Sequence, residues 1–213
     1  RTDASIALGE LGDPDVIPDL LRVVGDQEES IWQVTFQGEP HNIQEHPRVA
    51  AYEAVKKIAN HEHLLKALVH RKYPEVRAQA AWLLSDMVPR DDIRERVVVA
   101  LRKALNDPEV PVKFQAMLSL GTLGSLKVDE ARPFFKLNDN YVRFQTLGAV
   151  GKIPSDDASN FVLSIIKDDN EADVFRIQGI RLMGEREDRQ AVPTLIDLLM
   201  DNNPNIREHS AIA

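Results

Sequence analysis

The chain has 213 residues and a formal net charge of −8, with 43% hydrophobic and 28% charged residues, which is ordinary for a globular or repeat protein. It contains no cysteine, so disulfides, zinc–thiolate sites and cysteine nucleophiles are excluded within it. No apolar run approaches the roughly 18 residues of a membrane-spanning helix, and the start of the chain has no signal-peptide pattern. We therefore predict no membrane insertion and expect a cytoplasmic protein.

The charge is unevenly distributed. Residues 1–46 have a net charge of −8, residues 47–129 a net charge of +4, and residues 130–213 a net charge of −4. Nucleic-acid affinity comes largely from neutralising phosphates with Lys and Arg, so a chain this acidic predicts no nucleic-acid partner. The mildly basic middle instead favours an acidic partner.

Short strings recur along the chain. The segments 8–12, 120–124 and 147–151 share the pattern Leu-Gly-x-Leu/Val-Gly. Regular self-similarity with a period in this range is typical of helical solenoids, in which each repeat is one helix pair. Basic residues that follow an apolar, helix-opening residue recur 30 to 36 positions apart, at Arg77, Lys113, Arg143, Arg176 and Arg207.

This periodicity predicts a series of helix pairs. Asp13-Pro14 and Asp107-Pro108 are typical helix starts, whereas Gly12, Gly124 and Gly151 lie where first helices should end. One pair cannot bury its apolar faces alone, so neighbouring pairs should stack on a continuous core. First helices are predicted near 2–11, 47–60, 74–87, 109–123, 140–151, 172–184 and 204–213, and second helices near 14–24, 62–71, 91–106, 129–137, 157–168 and 189–201.

The combined pattern resembles the HEAT-like repeats of the phycobilisome lyase type. It is carried by Val-Arg before an Ala-rich helix at 76–84, by Leu-Gly-Glu-Leu-Gly-Asp-Pro at 8–14, and by Val-Ile-Pro-Asp-Leu-Leu at 16–21. The resemblance covers nearly the whole chain outside 25–46. It implies an all-α fold, an armadillo-like α-α superhelix of about six to seven two-helix repeats.

We interpret residues 1–213 as a single repeat domain. The chain starts within one predicted helix and stops within another, so we expect the protein to continue past both ends. Residues 25–46 interrupt the period as an irregular insertion, whereas neighbouring connections need only about 3–6 residues. The β-branched and aromatic segment 31–36 predicts a short hairpin or an extended flap.

Candidate partner-binding residues lie in this insertion and in the basic stretch after it. Insertions in repeat proteins often map to the binding face, and second helices line the concave face of such a superhelix. The alternatives stay open: the insertion aromatics could pack against the first repeat, and the basic residues could form a solvated helical surface. The candidates are Trp32, Phe36, His41, His46, Lys66, Arg71, Arg94 and Arg102.

No catalytic residues, metal ligands or cofactor are predicted. Five of the six histidines lie between 41 and 70, but their spacing matches no accepted metal motif. No phosphate-binding Gly-rich loop or nucleophile motif occurs. A HEAT-like hydroxylase that binds two irons repeats His-Glu pairs on its helices. This chain has one such pair, His61-Glu62, so the resemblance does not extend to that enzyme.

Acidic and basic residues six positions apart predict a structural ladder through the inter-repeat turns. In HEAT repeats this offset carries hydrogen bonds between neighbouring turns. Arg71 and Leu137 replace the acid before Arg77 and Arg143, so the ladder is expected to break at both places. The predicted ladder residues are Asp107, Lys113, Asp201 and Arg207.

Two functions follow. The first is a non-enzymatic scaffold or adaptor that binds another protein or peptide on its concave surface. The alternative, implied by the resemblance, is a bilin lyase-like or chromophore-handling protein acting on phycobiliproteins. The oligomeric state is left open.

Overall fold

The computed structural model describes residues 1–26, 47–87 and 89–213, together with the backbone of 30–36 and 39–45. This part of the chain contains two 3-10 turns, Pro14–Val16 and Arg189–Ala191, and thirteen α-helices. The helices are α1 Thr2–Leu11, α2 Ile17–Gly25, α3 Pro47–Ile58, α4 His61–Ala67, α5 Pro74–Asp86, α6 Asp91–Ala104, α7 Val110–Thr122, α8 Val128–Phe135, α9 Asn140–Gly151, α10 Asp156–Ile166, α11 Asp173–Glu185, α12 Val192–Leu198 and α13 Pro204–Ile212.

The helices alternate as the predicted first and second members of pairs, which confirms the all-α helical-repeat fold. Odd-numbered helices are first members; α3 packs against α1 and α2, and α11 packs against α9, α10 and α13. None of the helices in the described ranges is long and apolar enough to cross a bilayer.

The chain divides into two compact units, Arg1–Ser119 and Leu120–Ala213. The core of the first unit contains fully buried leucines from α2, α4, α5 and α6, among them Leu21, Leu64 and Leu101. The core of the second unit is partly aromatic. There the ring of Phe135 meets the rings of Phe161 and Phe175 edge-on, at centroid distances of 5.5 and 5.8 Å. Edge-to-face pairs of this kind add to the stabilisation from burial.

The three glycines predicted at helix ends play two different structural roles. Gly12 and Gly124 have φ values of 70° and 64° and end α1 and α7 in the left-handed region that glycine tolerates best. Gly151 does not end its helix in this way. It is the buried last residue of α9, and a Cβ there would lie 2.7 Å from both Leu182 methyl carbons, so an alanine would have to displace the Leu182 side chain on α11.

The insertion contains a hairpin, one of the two conformations expected for it. Strand β1, Ser30–Phe36, pairs antiparallel with β2, Glu39–Glu45. In the backbone register Trp32 is opposite Ile43 and Phe36 is opposite Glu39. This two-stranded sheet is a local addition to a helical chain.

Candidate partner-binding cleft

A cleft of about 790 Å³ lies on the first unit, between the second helices α4 and α6. Two apolar side chains at its surface are well exposed, Val69 at 72% and Val99 at 46%. Two exposed apolar side chains that line the same cleft give it an apolar surface open to solvent. The apolar lining consists of Leu65, Leu68, Val69, Val99, Ala100, Ala104 and Pro108.

Helix geometry explains why Val99 is exposed. Val97 and Leu101 are fully buried and lie one turn apart on the core side of α6. Val99 is two residues from each of them, and a helix turns by about 100° per residue, so its side chain points away from the core. Val99 is therefore a β-branched apolar residue whose side chain the core of this unit does not cover.

Charged side chains border the cleft at both ends. Arg96 on α6 donates two hydrogen bonds to the Glu62 carboxylate on α4, at 2.5 and 2.9 Å. These bonds lower the pKa of Glu62 and raise the pKa of Arg96. The pair joins the first turn of α4 to the first half of α6. Glu95, next to Arg96, also lines the cleft.

Arg77 closes the other end of the cleft. It is buried, and its guanidinium donates to both carboxylate oxygens of Asp107, at 2.7 and 2.8 Å. A third bond of 2.9 Å reaches the carbonyl of His70. One side chain of α5 therefore fastens the turn after α4 to the turn after α6. Arg71 and Lys103 line the cleft at this end.

The turn after α4 is held further by aromatic contacts. The Tyr73 amide donates to Nδ1 of His70, and the two rings stack with centroids 5.4 Å apart. The Arg22 guanidinium and the Lys72 ammonium lie 4.3 and 4.7 Å from the centroid of the Tyr73 ring. These cation–π contacts favour one conformation of the turn that carries Val69 and Arg71.

The structure brings few of the predicted binding residues together. Arg71 lines the cleft, whereas Lys66 is exposed on α4 and does not line it. Arg94 and Arg102 are half-buried on α6 and lie outside the lining as well. Trp32, Phe36 and His41 are in strands of which only the backbone is described, and His46 lies outside the described residues.

Sequence reasoning missed Val69, Val99, Arg96 and Lys103. The available signal was the run Val97-Val98-Val99 on a predicted second helix, because three consecutive apolar residues cannot all face one core. The prediction concentrated on charge and did not use this departure from the amphipathic pattern.

The ladder follows a different geometry from the one expected. The predicted breaks at Arg77 and Arg143 are wrong, because each arginine binds an acid of the following repeat. Arg77 binds Asp107, and Arg143 donates to Glu171 at 2.5 Å and to the Phe135 carbonyl at 3.0 Å. The acid six positions earlier is therefore not the required partner.

Of the other basic residues in the series, Arg176 also binds an acid of the following repeat, whereas within the described ranges Arg207 and Lys113 do not. Arg176 donates to the Asp201 carboxylate at 2.9 Å and to the Ile166 carbonyl at 3.0 Å. Arg207 instead binds the backbone carbonyls of Asp201 and Asn202. Lys113 contributes a favourable Coulombic interaction to the ionised Asp107.

No group of three or more His, Asp or Glu side chains within the described ranges has an arrangement that could hold a metal ion. His61 and Glu62, which the sequence placed between helices, form the first turn of α4. The Glu62 carboxylate is used in the Arg96 pair described above.

The fold defines a helical-repeat protein, and the comparisons with known families specify the kind. A model of HEAT repeats matches residues 61–136, the range that contains the cleft, and a model of the PBS lyase HEAT-like repeat matches residues 1–26. The chain is a HEAT-like repeat protein. No functionally curated protein shows significant sequence similarity to it.

Solved structures share this fold at low sequence identity. YibA of Escherichia coli is 16% identical, with a TM-score of 0.59 over 94% of this chain and 72% of that chain. An engineered protein is 15% identical, with a TM-score of 0.50 over 99% of this chain and 94% of that chain. Human deoxyhypusine hydroxylase in complex with glycerol is 19% identical over 99% of this chain and 76% of that chain. Its TM-score is 0.46. These likenesses concern the fold alone.

Proposed function

We propose that this HEAT-like repeat protein is a non-enzymatic scaffold that binds another protein through the α4–α6 cleft. The observation that carries the proposal is the pair of exposed apolar side chains, Val69 and Val99, in a cleft of about 790 Å³ bordered by charge. An apolar centre with a polar rim is the usual anatomy of a protein interface.

The contacts around the cleft support a preformed site. The Glu62–Arg96 pair joins α4 to α6 at one end, and Arg77 joins the two following turns at the other. A cleft held at both ends loses little conformational freedom when it binds, so less of the interaction energy is lost to ordering.

The test is affinity capture from an extract of the native source with three immobilised proteins. Val99→Arg places a long cation over the apolar lining, and Val49→Arg is a matched control, since Val49 is 58% exposed on α3 and does not line the cleft. We expect a partner that the wild type and Val49→Arg retain and Val99→Arg loses. That partner is then purified and titrated against all three proteins. If no captured protein depends on Val99, the proposal is wrong.

The second candidate is a chromophore-handling protein, which the match of residues 1–26 to the PBS lyase HEAT-like repeat favours. The direct test is the visible absorbance of a bilin mixed with the protein. A shifted band supports this candidate. An unshifted spectrum, together with unchanged chromophore attachment to a phycobiliprotein, removes it.

A further inference from the structure

We propose that the α4–α6 cleft binds a peptide segment in one direction, with apolar side chains over Val69 and Val99 and a carboxylate-bearing end at Arg71 and Lys103. This inference rests on the proposed function, because it specifies the chemistry of the partner for the same cleft.

The direction follows from how the two helices are fastened. Glu62 lies at the beginning of α4 and binds Arg96 in the first half of α6. At the other end, Arg77 binds both the His70 carbonyl after α4 and the Asp107 carboxylate after α6. The two helices therefore run in the same direction along the cleft. We call the end near Glu62 and Arg96 the beginning of the cleft, and the end near Arg77 its end.

The charges differ between these ends. Apart from the Glu62–Arg96 and Arg77–Asp107 ion pairs, the charged lining residues are Glu95 at the beginning and Arg71 and Lys103 at the end. Glu95 and Lys103 are eight residues apart on one helix, which corresponds to about 12 Å. A segment that crosses this length spans roughly four residues if extended or eight if helical. Its two ends consequently meet charges of opposite sign.

Among the described residues, four Lys and Arg side chains line the cleft, and two of them are in ion pairs. Arg96 and Arg77 are already bound to Glu62 and Asp107. By contrast, neither the Arg71 guanidinium nor the Lys103 ammonium has a hydrogen-bond or ion-pair partner among residues 1–26, 47–87 and 89–213. Lys103 also stabilises the end of α6 through the helix dipole, but that long-range effect leaves its ammonium free to bind.

Apolar and charged contacts then have separate roles. The exposed surface of Val69 and Val99 supplies affinity when a partner covers it. Carboxylates at Arg71 and Lys103 favour one orientation of the segment, because the reversed segment would place its acids at Glu95. The expected ligand is therefore a peptide with apolar side chains at its centre and carboxylates at one end only.

The test uses a random dodecapeptide library displayed on phage and selected against the intact chain, with Val99→Arg as the subtraction protein. The expected consensus has an apolar centre and carboxylates at one end only. A synthetic consensus peptide is then titrated by fluorescence anisotropy. We expect the double variant Arg71→Gln/Lys103→Gln to bind the consensus peptide about tenfold more weakly than the wild type does. The wild type should bind a peptide of reversed sequence about tenfold more weakly than the consensus peptide. Val49→Arg should bind the consensus peptide as tightly as the wild type.

The proposal is overturned if no peptide is enriched, if the enriched peptides lack carboxylates at one end, or if the reversed peptide binds equally well. The capture experiment separates this failure from failure of the proposed function. If a captured partner depends on Val99 but the selected peptides are not enriched in carboxylates, the scaffold function stands and the directional motif is wrong. Failure of both experiments removes both.

Discussion

Arg77 and Asp107, thirty residues apart in the chain, form a bidentate ion pair whose side chains are only 10% and 11% exposed. The Arg77 guanidinium reaches both carboxylate oxygens, and the Glu109 amide donates to the same carboxylate at 3.0 Å. The pair links two successive inter-repeat turns. Loss of either partner leaves the other charge buried, and such a loss is more costly than the pair itself is stabilising.

We therefore expect Asp107→Asn to lower the free energy of unfolding by about 3 kcal/mol. Arg77→Lys should lower it by about 2 kcal/mol, since an ammonium cannot make the two parallel bonds. Urea denaturation measures both changes. The control is Arg48→Gln, a substitution at an exposed arginine on α3, which should leave the transition unchanged. Equal stability of Arg77→Lys and wild type would show that the two-bond geometry has no energetic role.

The same pair predicts a specific dependence of stability on pH. Burial opposes ionisation of Asp107, but hydrogen bonds from Arg77 and the Glu109 amide together outweigh it and lower the pKa below the usual 3.8. The unfolded chain therefore binds the proton more readily than the folded chain. The stabilisation is complete well above pH 3.8 and is lost as the pH falls through the lower, folded value.

The measurement is the difference in unfolding free energy between wild type and Asp107→Asn, from pH 6 to the lowest pH at which both fold. The difference should be constant near neutrality and should shrink below about pH 4. Parallel stability curves across the whole range would contradict a lowered Asp107 pKa.

The periodic residues of the sequence predict the helices well, because buried apolar positions and caps act locally. Asp13, for example, accepts from the Asp15 amide at the predicted helix start. The ladder partners were harder to predict, because the acid that binds Arg77 is thirty residues away and no local pattern identifies it. For Arg143 the partner is Glu171, which lies 28 residues later in the chain.

The cleft was only partly predictable for a similar reason. Arg71 was identified from the density of basic residues, whereas Val69 and Val99 become neighbours in one cleft only after α4 and α6 are placed side by side. Exposure of an apolar residue depends on which face of its helix is covered. That information lies in the packing of the repeats and not in the residue type.

Arg143 tests whether the corrected ladder contributes to stability. Besides its bonds to Glu171 and the Phe135 carbonyl, its guanidinium lies 4.6 and 4.2 Å from the ring centroids of Phe135 and Phe175. Arg143→Gln should lower the free energy of unfolding by about 2 kcal/mol, since it removes charged hydrogen bonds and cation–π contacts.

Thermal or urea unfolding checks this value. The matched control is Arg181→Gln, which alters an exposed arginine on α11 and should be neutral. If Arg143→Gln were as stable as the control, the ladder would be a geometric regularity of the second unit without a measurable share in its stability.

Alanine substitutions at two glycines of α9 distinguish the effect of side-chain packing on stability from the effect of backbone conformation. A Cβ at Gly151 would lie 2.7 Å from the Leu182 methyl carbons and 3.0 Å from its Cγ, whereas at Gly148 the nearest atom is Nε2 of Gln178 at 3.4 Å. Gly151→Ala should therefore destabilise the protein by about 1–3 kcal/mol through overpacking. Gly148→Ala should be neutral or stabilise by up to about 1 kcal/mol, because alanine is favoured within helices.

Both substitutions change glycine to alanine in one helix, so each serves as the control for the other in urea denaturation. Leu182→Val shortens the side chain that would collide, and the double variant Gly151→Ala/Leu182→Val should recover part of the loss. A double-mutant cycle gives this coupling directly. Strictly additive effects of the two substitutions would mean that contact with Leu182 is not why α9 has glycine at its last position.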